Sequence, residues 1–306
     1  MKHKKQHWVS KAYLEAWCDP STPEGHEPYV WLFQKESKVG KRKAPKNIFF
    51  ENEMYTIPDS DGTRNLSLEK WFSFLEGTFV KIRDSKLSQK RPLDSEELAA
   101  LRAFVSSMHT RSQAQRDHLS AQWKRIHDFG EEFKHKMLEK TPEERQRIAR
   151  SSIVQNDDKV LTQKEVLELA QWPLQQMLIP MAEAEDRTLA KMNMVILSTE
   201  SNPGFISSDS PCTWHDPNWS VTKPLTGPYR IMESPAIEIF MPLSPHQLIW
   251  FTWEKDFEGY IDLESGEPVD SFNQKTRYYC KEFFLANTIK PKDIWFTQGV
   301  PISEKR

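Results

Sequence analysis

Between Leu66 and Leu87 the apolar residues recur at Leu68, Trp71, Phe72, Leu75, Phe79 and Ile82. This spacing of three and four puts side chains on one face of a helix. Asp94 or Ser95 then caps a second helix whose first turn is acidic, which suits the unpaired N–H groups at a helix start. Few breakers follow, so the pattern predicts that this helix runs to about Leu138. Its seam would be Leu98, Leu101, Val105, Met108, Ser112, Gln115, Leu119, Gln122, Ile126, Phe129 and Phe133, packed along the whole length. Further helices are expected at Pro142–Arg150 and at Gln163–Glu185, the latter bent near Pro173 and Pro180.

On either side of this helical stretch the pattern changes to short apolar and aromatic runs. Tyr29-Val30-Trp31-Leu32-Phe33 reads as a strand, and Phe49-Phe50 to Tyr55 is expected to return as its partner. Late in the chain Met194–Thr199, Phe205–Ser207, Ile237–Phe240 and Leu248–Trp253 are strand-like runs between Pro/Ser/Asn turns. A last helix is expected over Pro268–Asn287. Strands and helices are segregated, which predicts an α+β fold: long packed helices in the middle against a mostly antiparallel sheet from the C-terminal third, with a small N-terminal β element. No linker rich in Gly, Ser or Pro divides the chain. A single domain over residues 1–306 is therefore expected, with an N-terminal part (1–60), a helical part (61–190) and a sheet with a last helix (191–306).

Composition narrows the classes. The 306 residues are 38% hydrophobic, with 11 Trp and 17 Phe to supply a core, and the net charge is −2. No global basic field predicts binding to nucleic acid or a membrane surface. No apolar run is long enough to span a bilayer, and no apolar stretch follows the N-terminal lysines as in a secretory signal. Cys18, Cys212 and Cys280 are too scattered for a disulfide framework or a zinc site, so a cytoplasmic protein with reduced thiols is expected. Gly-rich nucleotide loops, the Gly-x-Ser-x-Gly elbow and the His-Glu-x-x-His motif are absent, which argues against nucleotide-driven motors, Rossmann dehydrogenases, serine hydrolases and zincin proteases.

Four segments carry a resemblance. They are Gln6-His7-Trp8-Val9 followed by Tyr13-Leu14; His109-Thr110-Arg111; Phe205-Ile206-Ser207-Ser208-Asp209-Ser210-Pro211; and Met241-Pro242-Leu243-Ser244-Pro245, with Asn273 as a fifth point. In order and spacing they resemble the bacterial family numbered 4238 among the domains of unknown function, over nearly the whole chain. Ser10 stands where that family usually has Pro. The resemblance implies a shared fold and no activity.

Candidate chemistry starts from the polar break in the long seam. Arg111 lies beside the buried stripe, three residues after Met108, with Gln115 and His118 following at four and seven. A buried Arg requires a carboxylate, a phosphate or several carbonyls around it. A structural ion pair with Glu76 is one reading; an anion site is the other. Arg111 and His118 also have an Arg–six residues–His spacing that resembles the helical RNases of the HEPN type. About one such match arises by chance in a chain of this composition. Asp209 ends a strand, where it would hold a metal or act as a base, or simply close an Asx turn. His215 and Asp216 follow it without a specific ligand spacing. His7 would serve as acid, base or ligand, or would order the N-terminal segment. Glu69 and Glu76 share a helix face, as metal carboxylates or as a solvated face. Trp214, Trp219, Trp250 and Trp253 would stack nucleobases or fill a core.

The functional expectation is a phosphodiester-acting, nuclease-like hydrolase acting on nucleic acid. His7, Glu76, Arg111 and Asp209 would be catalytic, with Arg111 on the phosphate and Asp209 and Glu76 holding Mg²⁺ or activating water. Gln115, His118, Ser208 and Asn273 would bind substrate. The alternative is a non-catalytic regulatory or host-defence-associated binding protein, in which the same residues form a structural network.

Overall fold

The computed structural model describes residues 5–58, 64–150, 161–217 and 234–297. Helices occupy the middle of the chain. They are α1 (Lys11–Leu14), α2 (Ser67–Ser85), α3 (Ser95–Thr110), α4 (Gln113–Leu138), α5 (Pro142–Arg150), α6 (Gln163–Gln171), α7 (Pro173–Leu189) and, after the late strands, α8 (Gly266–Tyr279). The strands are β1 (Lys5–His7), β2 (Val30–Gln34), β3 (Lys41–Lys43), β4 (Phe50–Asn52), β5 (Ile57–Pro58), β6 (Arg64–Asn65), β7 (Asn193–Ser198), β8 (Ser207–Ser208), β9 (Thr213–His215), β10 (Glu238–Ser244), β11 (Gln247–Thr252), β12 (Gly259–Asp262) and β13 (Phe283–Ala286). The fold is α+β, as the segregation of patterns predicts.

The larger sheet has the order β12-β7-β11-β10-β9, antiparallel except for the parallel β12–β7 pair. A second sheet, β3-β2-β13-β8, is antiparallel throughout. One core joins the N-terminal segment (Trp8, Val9, Tyr13), the faces of α2 and α3 (Phe72, Leu75, Phe79, Leu101, Phe104) and the large sheet (Ile196, Met241, Ile249). At its centre Phe79 and Phe104 stack with ring centroids 3.9 Å apart. The predicted stripe of α2 is buried at Leu68, Phe72, Leu75, Phe79 and Ile82. Asp94 caps α3 with a complete capping box, its carboxylate accepting from the N–H groups of Glu96 and Glu97 while Glu97 accepts from Asp94 N–H.

Four expectations are corrected. The helix predicted to run to Leu138 breaks at Arg111-Ser112: Arg111 leaves helical geometry (φ −87°, ψ 0°) and Ser112 becomes the N-cap of α4. The hydroxyls of Ser107 and Thr110 bond back to main-chain carbonyls, and Ser112 Oγ accepts from Gln115 N–H, so the Ser/Thr-rich stretch offers the backbone an alternative to helix. The seam expected beyond that point is not packed, and α4 has no buried residue. The last helix stops at Tyr279, because the apolar Phe283–Ala286 run forms β13 between β2 and β8. The partner of β2 is therefore β13 with β3, while β4 pairs with β1. Trp219 lies outside the described residues. No helix among the described residues is long and apolar enough to cross a membrane, and all three cysteines are free thiols.

Candidate functional site

The end of α3 sends alternate side chains in opposite directions, since residues two apart on a helix project roughly 200° apart. Arg111 goes toward α2 and His109 toward α7. Arg111 is 1% exposed. Its Nη1 donates to Glu76 Oε1 at 2.8 Å, Nη2 to Met108 Sδ at 2.9 Å, and the guanidinium lies 4.6 Å from the Phe72 ring centre. His7 joins this cluster: Tyr55 Oη donates at 3.4 Å to the carbonyls of both His7 and Arg111. Burial lowers the pKa of His7, Glu76 and the Lys46 backbone raise it, and Arg111 lowers it. Glu76, His7 and Arg111 thus share one cluster, and the Arg111–Glu76 contact is the structural ion pair that was one of the two readings of Arg111.

Asp209 stands apart from them in its contacts. Its Oδ1 accepts from Lys281 N–H at 2.8 Å, and Oδ2 accepts from Glu282 and Phe283 N–H at 2.7 and 2.9 Å. The carboxylate therefore closes the turn into β13. Burial pushes its pKa up against the pull of those three bonds. The two carboxylates expected to share Mg²⁺ are each engaged by protein groups. Among the described residues no group of three or more His, Cys, Asp and Glu could hold a metal ion. The set does not fit Mg²⁺.

The segments that carry the family resemblance stitch the chain ends together. Trp8 Nε1 donates to Asp209 O at 3.1 Å, and Tyr13 Oη donates to Pro242 O at 2.8 Å while lying 2.7 Å from Ser207 Oγ. Asn273 is fully buried; its side chain accepts from Ile206 N–H at 2.9 Å and donates to Gly204 O at 2.8 Å. Ser208 is buried in β8, its Oγ accepting from Ser210 N–H. Asn273 and Ser208 thus hold main chain, whereas Gln115 and His118, also expected to bind substrate, line an open cleft.

That cleft has a volume of about 280 Å³ and lies where the α3–α4 break meets β9 and the end of α8. Gln115 and His118 lie on the first turns of α4, and Met108, His109 and Ser112 come from the break itself. Ser210, Cys212, Thr213 and Trp214 approach from the segment around β9, and Tyr279 from the end of α8. His109 Nδ1 lies 2.9 Å from Oε1 of Glu185 on α7. Glu185 is 4% exposed. Burial pushes its pKa up, and His109 pulls it down by charge and hydrogen bonding. The His109 ring stacks on Trp214, centroids 4.1 Å apart and 24° between planes. An imidazolium there meets both a carboxylate and a π-face. Ser210 Oγ and Thr213 Oγ1 are buried without a hydrogen-bond partner among the described residues. Tyr279 Oη lies 3.0 Å from His215 Nδ1. Burial raises the Cys212 thiol, as does Glu185, which leaves Cys212 a poor nucleophile.

Sequence reasoning quoted His109 and Ser210 only within motifs, gave Trp214 as a base-stacking or core residue, and did not single out Glu185 or Tyr279. One signal was readable. The buried stripe of α7 runs Leu174, Leu178, Met181, Glu185, Leu189, so a carboxylate sits in an otherwise apolar register and needs a partner. That its partner is His109 depends on the packing of α3 on α7, which spacing along the chain does not contain.

Residues 5–288 match a family model described as "Protein of unknown function (DUF4238)". Comparison with curated proteins finds no match, and neither does comparison with solved structures.

Proposed function

We propose, from the premise that this chain belongs to the DUF4238 family of proteins of unknown function, that it is a nuclease-like enzyme cleaving RNA by acid–base catalysis in the His109 cleft. The observation that carries the reading is His109 fixed by buried Glu185 while sharing the cleft with a second histidine, His118. A phosphodiester that brings its own 2′-hydroxyl needs one group to take a proton and one to give it. Nε2 of His109 takes the 2′-hydroxyl proton as the oxygen attacks phosphorus; Glu185 and Trp214 favour the imidazolium so formed. The P–O5′ bond breaks, and O5′ takes a proton from His118. Water then attacks phosphorus of the resulting 2′,3′-cyclic phosphate, His118 taking its proton, and the P–O2′ bond breaks as His109 returns a proton to O2′. Gln115 is a neutral donor for the phosphate oxygens. The volume is at the small end of ligand sites, roughly 300–1,000 Å³, which suits one linkage rather than a whole ligand.

The test is cleavage of RNA in EDTA by wild type, His109→Ala and His118→Ala, with melting curves as the folding control. Each variant is expected to lose at least ~100-fold in rate while remaining folded. No cleavage by wild type, or cleavage untouched by both substitutions, overturns the reading.

A second reading is a binding protein without chemistry. It is favoured by the inward engagement of Arg111, Asp209 and Asn273. It predicts that His109→Ala changes binding of a partner or the melting temperature and no reaction rate.

A further inference from the structure

The 26-residue helix α4 packs on α6 through one face. Ser120 Oγ donates to Ala170 O at 2.6 Å. A Cβ at Gly130 would stand 1.9 Å from Gln163 Nε2, so the end of the Gln163 side chain crosses α4 against this glycine. Ile126, Phe129 and Phe133 lie roughly a quarter turn away from that face at 100° per residue. They are 49%, 70% and 49% exposed. With Leu119 and Gln122 they keep the alternating three-and-four spacing of a coiled-coil seam. Three large apolar side chains in that register, on a helix without a buried residue, form a contiguous patch of the kind that marks an interface.

The geometry points to a second copy of this chain as the occupant, paired antiparallel along α4. Charge complementarity supports the choice. With Ile126 opposite Phe129 of the other copy, Gln122 falls opposite Phe133. The flanking position of Arg125 then meets Glu132 of the other copy, which on its own helix accepts from Lys136 Nζ at 2.6 Å, and both contacts occur twice by symmetry. A parallel pairing would instead set Arg125 beside Gly130 and Glu132 beside Met137 of the other copy, with no opposite charge to meet. The seam therefore selects one orientation as well as one partner.

Sedimentation equilibrium of the full chain, at concentrations bracketing about 1 μM, tests this. A dimer is expected. Phe129→Glu should raise its dissociation constant at least ~10-fold without lowering helix content. Arg125→Glu should weaken the dimer, and the double variant Arg125→Glu/Glu132→Arg should restore it. A wild type that stays monomeric overturns the proposal, as it would if residues 151–160 or another protein cover the seam. A dimer indifferent to Phe129→Glu, or a charge swap that fails to rescue, overturns it equally.

Discussion

His109 Nδ1 and Glu185 Oε1 meet at 2.9 Å across the α3–α7 packing, where His109 lowers the pKa of Glu185 against its burial. A buried carboxylate is costly unless paired, so the histidine and the glutamate hold one another in place. This fixes which imidazole nitrogen is left for a ligand in the cleft.

Glu185→Gln retains a hydrogen-bonding side chain and removes the charge. RNA cleavage is expected to fall roughly 10–100-fold, since the imidazolium loses its carboxylate. Linkage adds a second signature. The folded pKa of Glu185 lies above its unfolded value, so the native state binds the extra proton. The contribution of Glu185 to stability should decline as pH rises from 4.5 to that folded value, then level off. Glu185→Gln should lack that decline. Urea unfolding across pH 4–8 reads both curves.

Arg111 and Glu76 should respond unequally. Arg111 is 1% exposed and the Glu76 side chain 23% exposed. Glu76→Gln leaves a sealed guanidinium without its carboxylate and should cost about 3–5 kcal/mol, as in other buried pairs broken on one side. Arg111→Met leaves a carboxylate that water can reach and should cost less, about 2 kcal/mol. Chemical denaturation of the two variants checks the order. The reverse order would place Arg111 in a wetter environment than the fold gives it.

Asp209 is expected to act on stability alone. Asp209→Ala leaves three N–H groups at the start of β13 without an acceptor and should cost about 3 kcal/mol. Cleavage per folded molecule should be unchanged. A loss of activity in a variant that remains folded would restore Asp209 to the chemistry.

His7 gives a pH dependence of opposite sign to Glu185. Burial holds its folded pKa below 6.5, so below pH 6.5 the unfolded chain binds a proton that the folded chain refuses. Stability should therefore fall as pH drops from 6.5 toward the folded pKa. His7→Gln should remove that part of the slope, measured as the difference between variant and wild type in urea midpoints at pH 5–7. His215 is lowered for the same cause, first burial and then Lys275, and remains in both proteins, so the difference isolates His7.

The architecture was legible where one physical signal dominated. The stripe of α2 and the capping box of α3 follow from spacing and side-chain chemistry, and both form as read. The seam after Met108 was misread because a three-and-four spacing marks a helix face without saying whether that face is covered: Phe129 keeps the register and stays 70% exposed. The break at Ser112 was hidden because Ser is tolerated in helices and favoured as a cap, and only tertiary packing decides between the two. For the site, the Arg111–Glu76 pair was readable from a buried charge needing a partner. The inward use of Asp209 was one of two readings, and β13, whose start it ties down, was absorbed into the expected last helix.

The most direct measurement uses two oligoribonucleotides in EDTA, one unmodified and one carrying a single 2′-deoxy residue at the scissile position, with products resolved by mass. Cleavage of the first to a 2′,3′-cyclic phosphate, with the second left intact, is the result that acid–base chemistry at His109 and His118 predicts. Equal cleavage of both strands, or of neither, contradicts it.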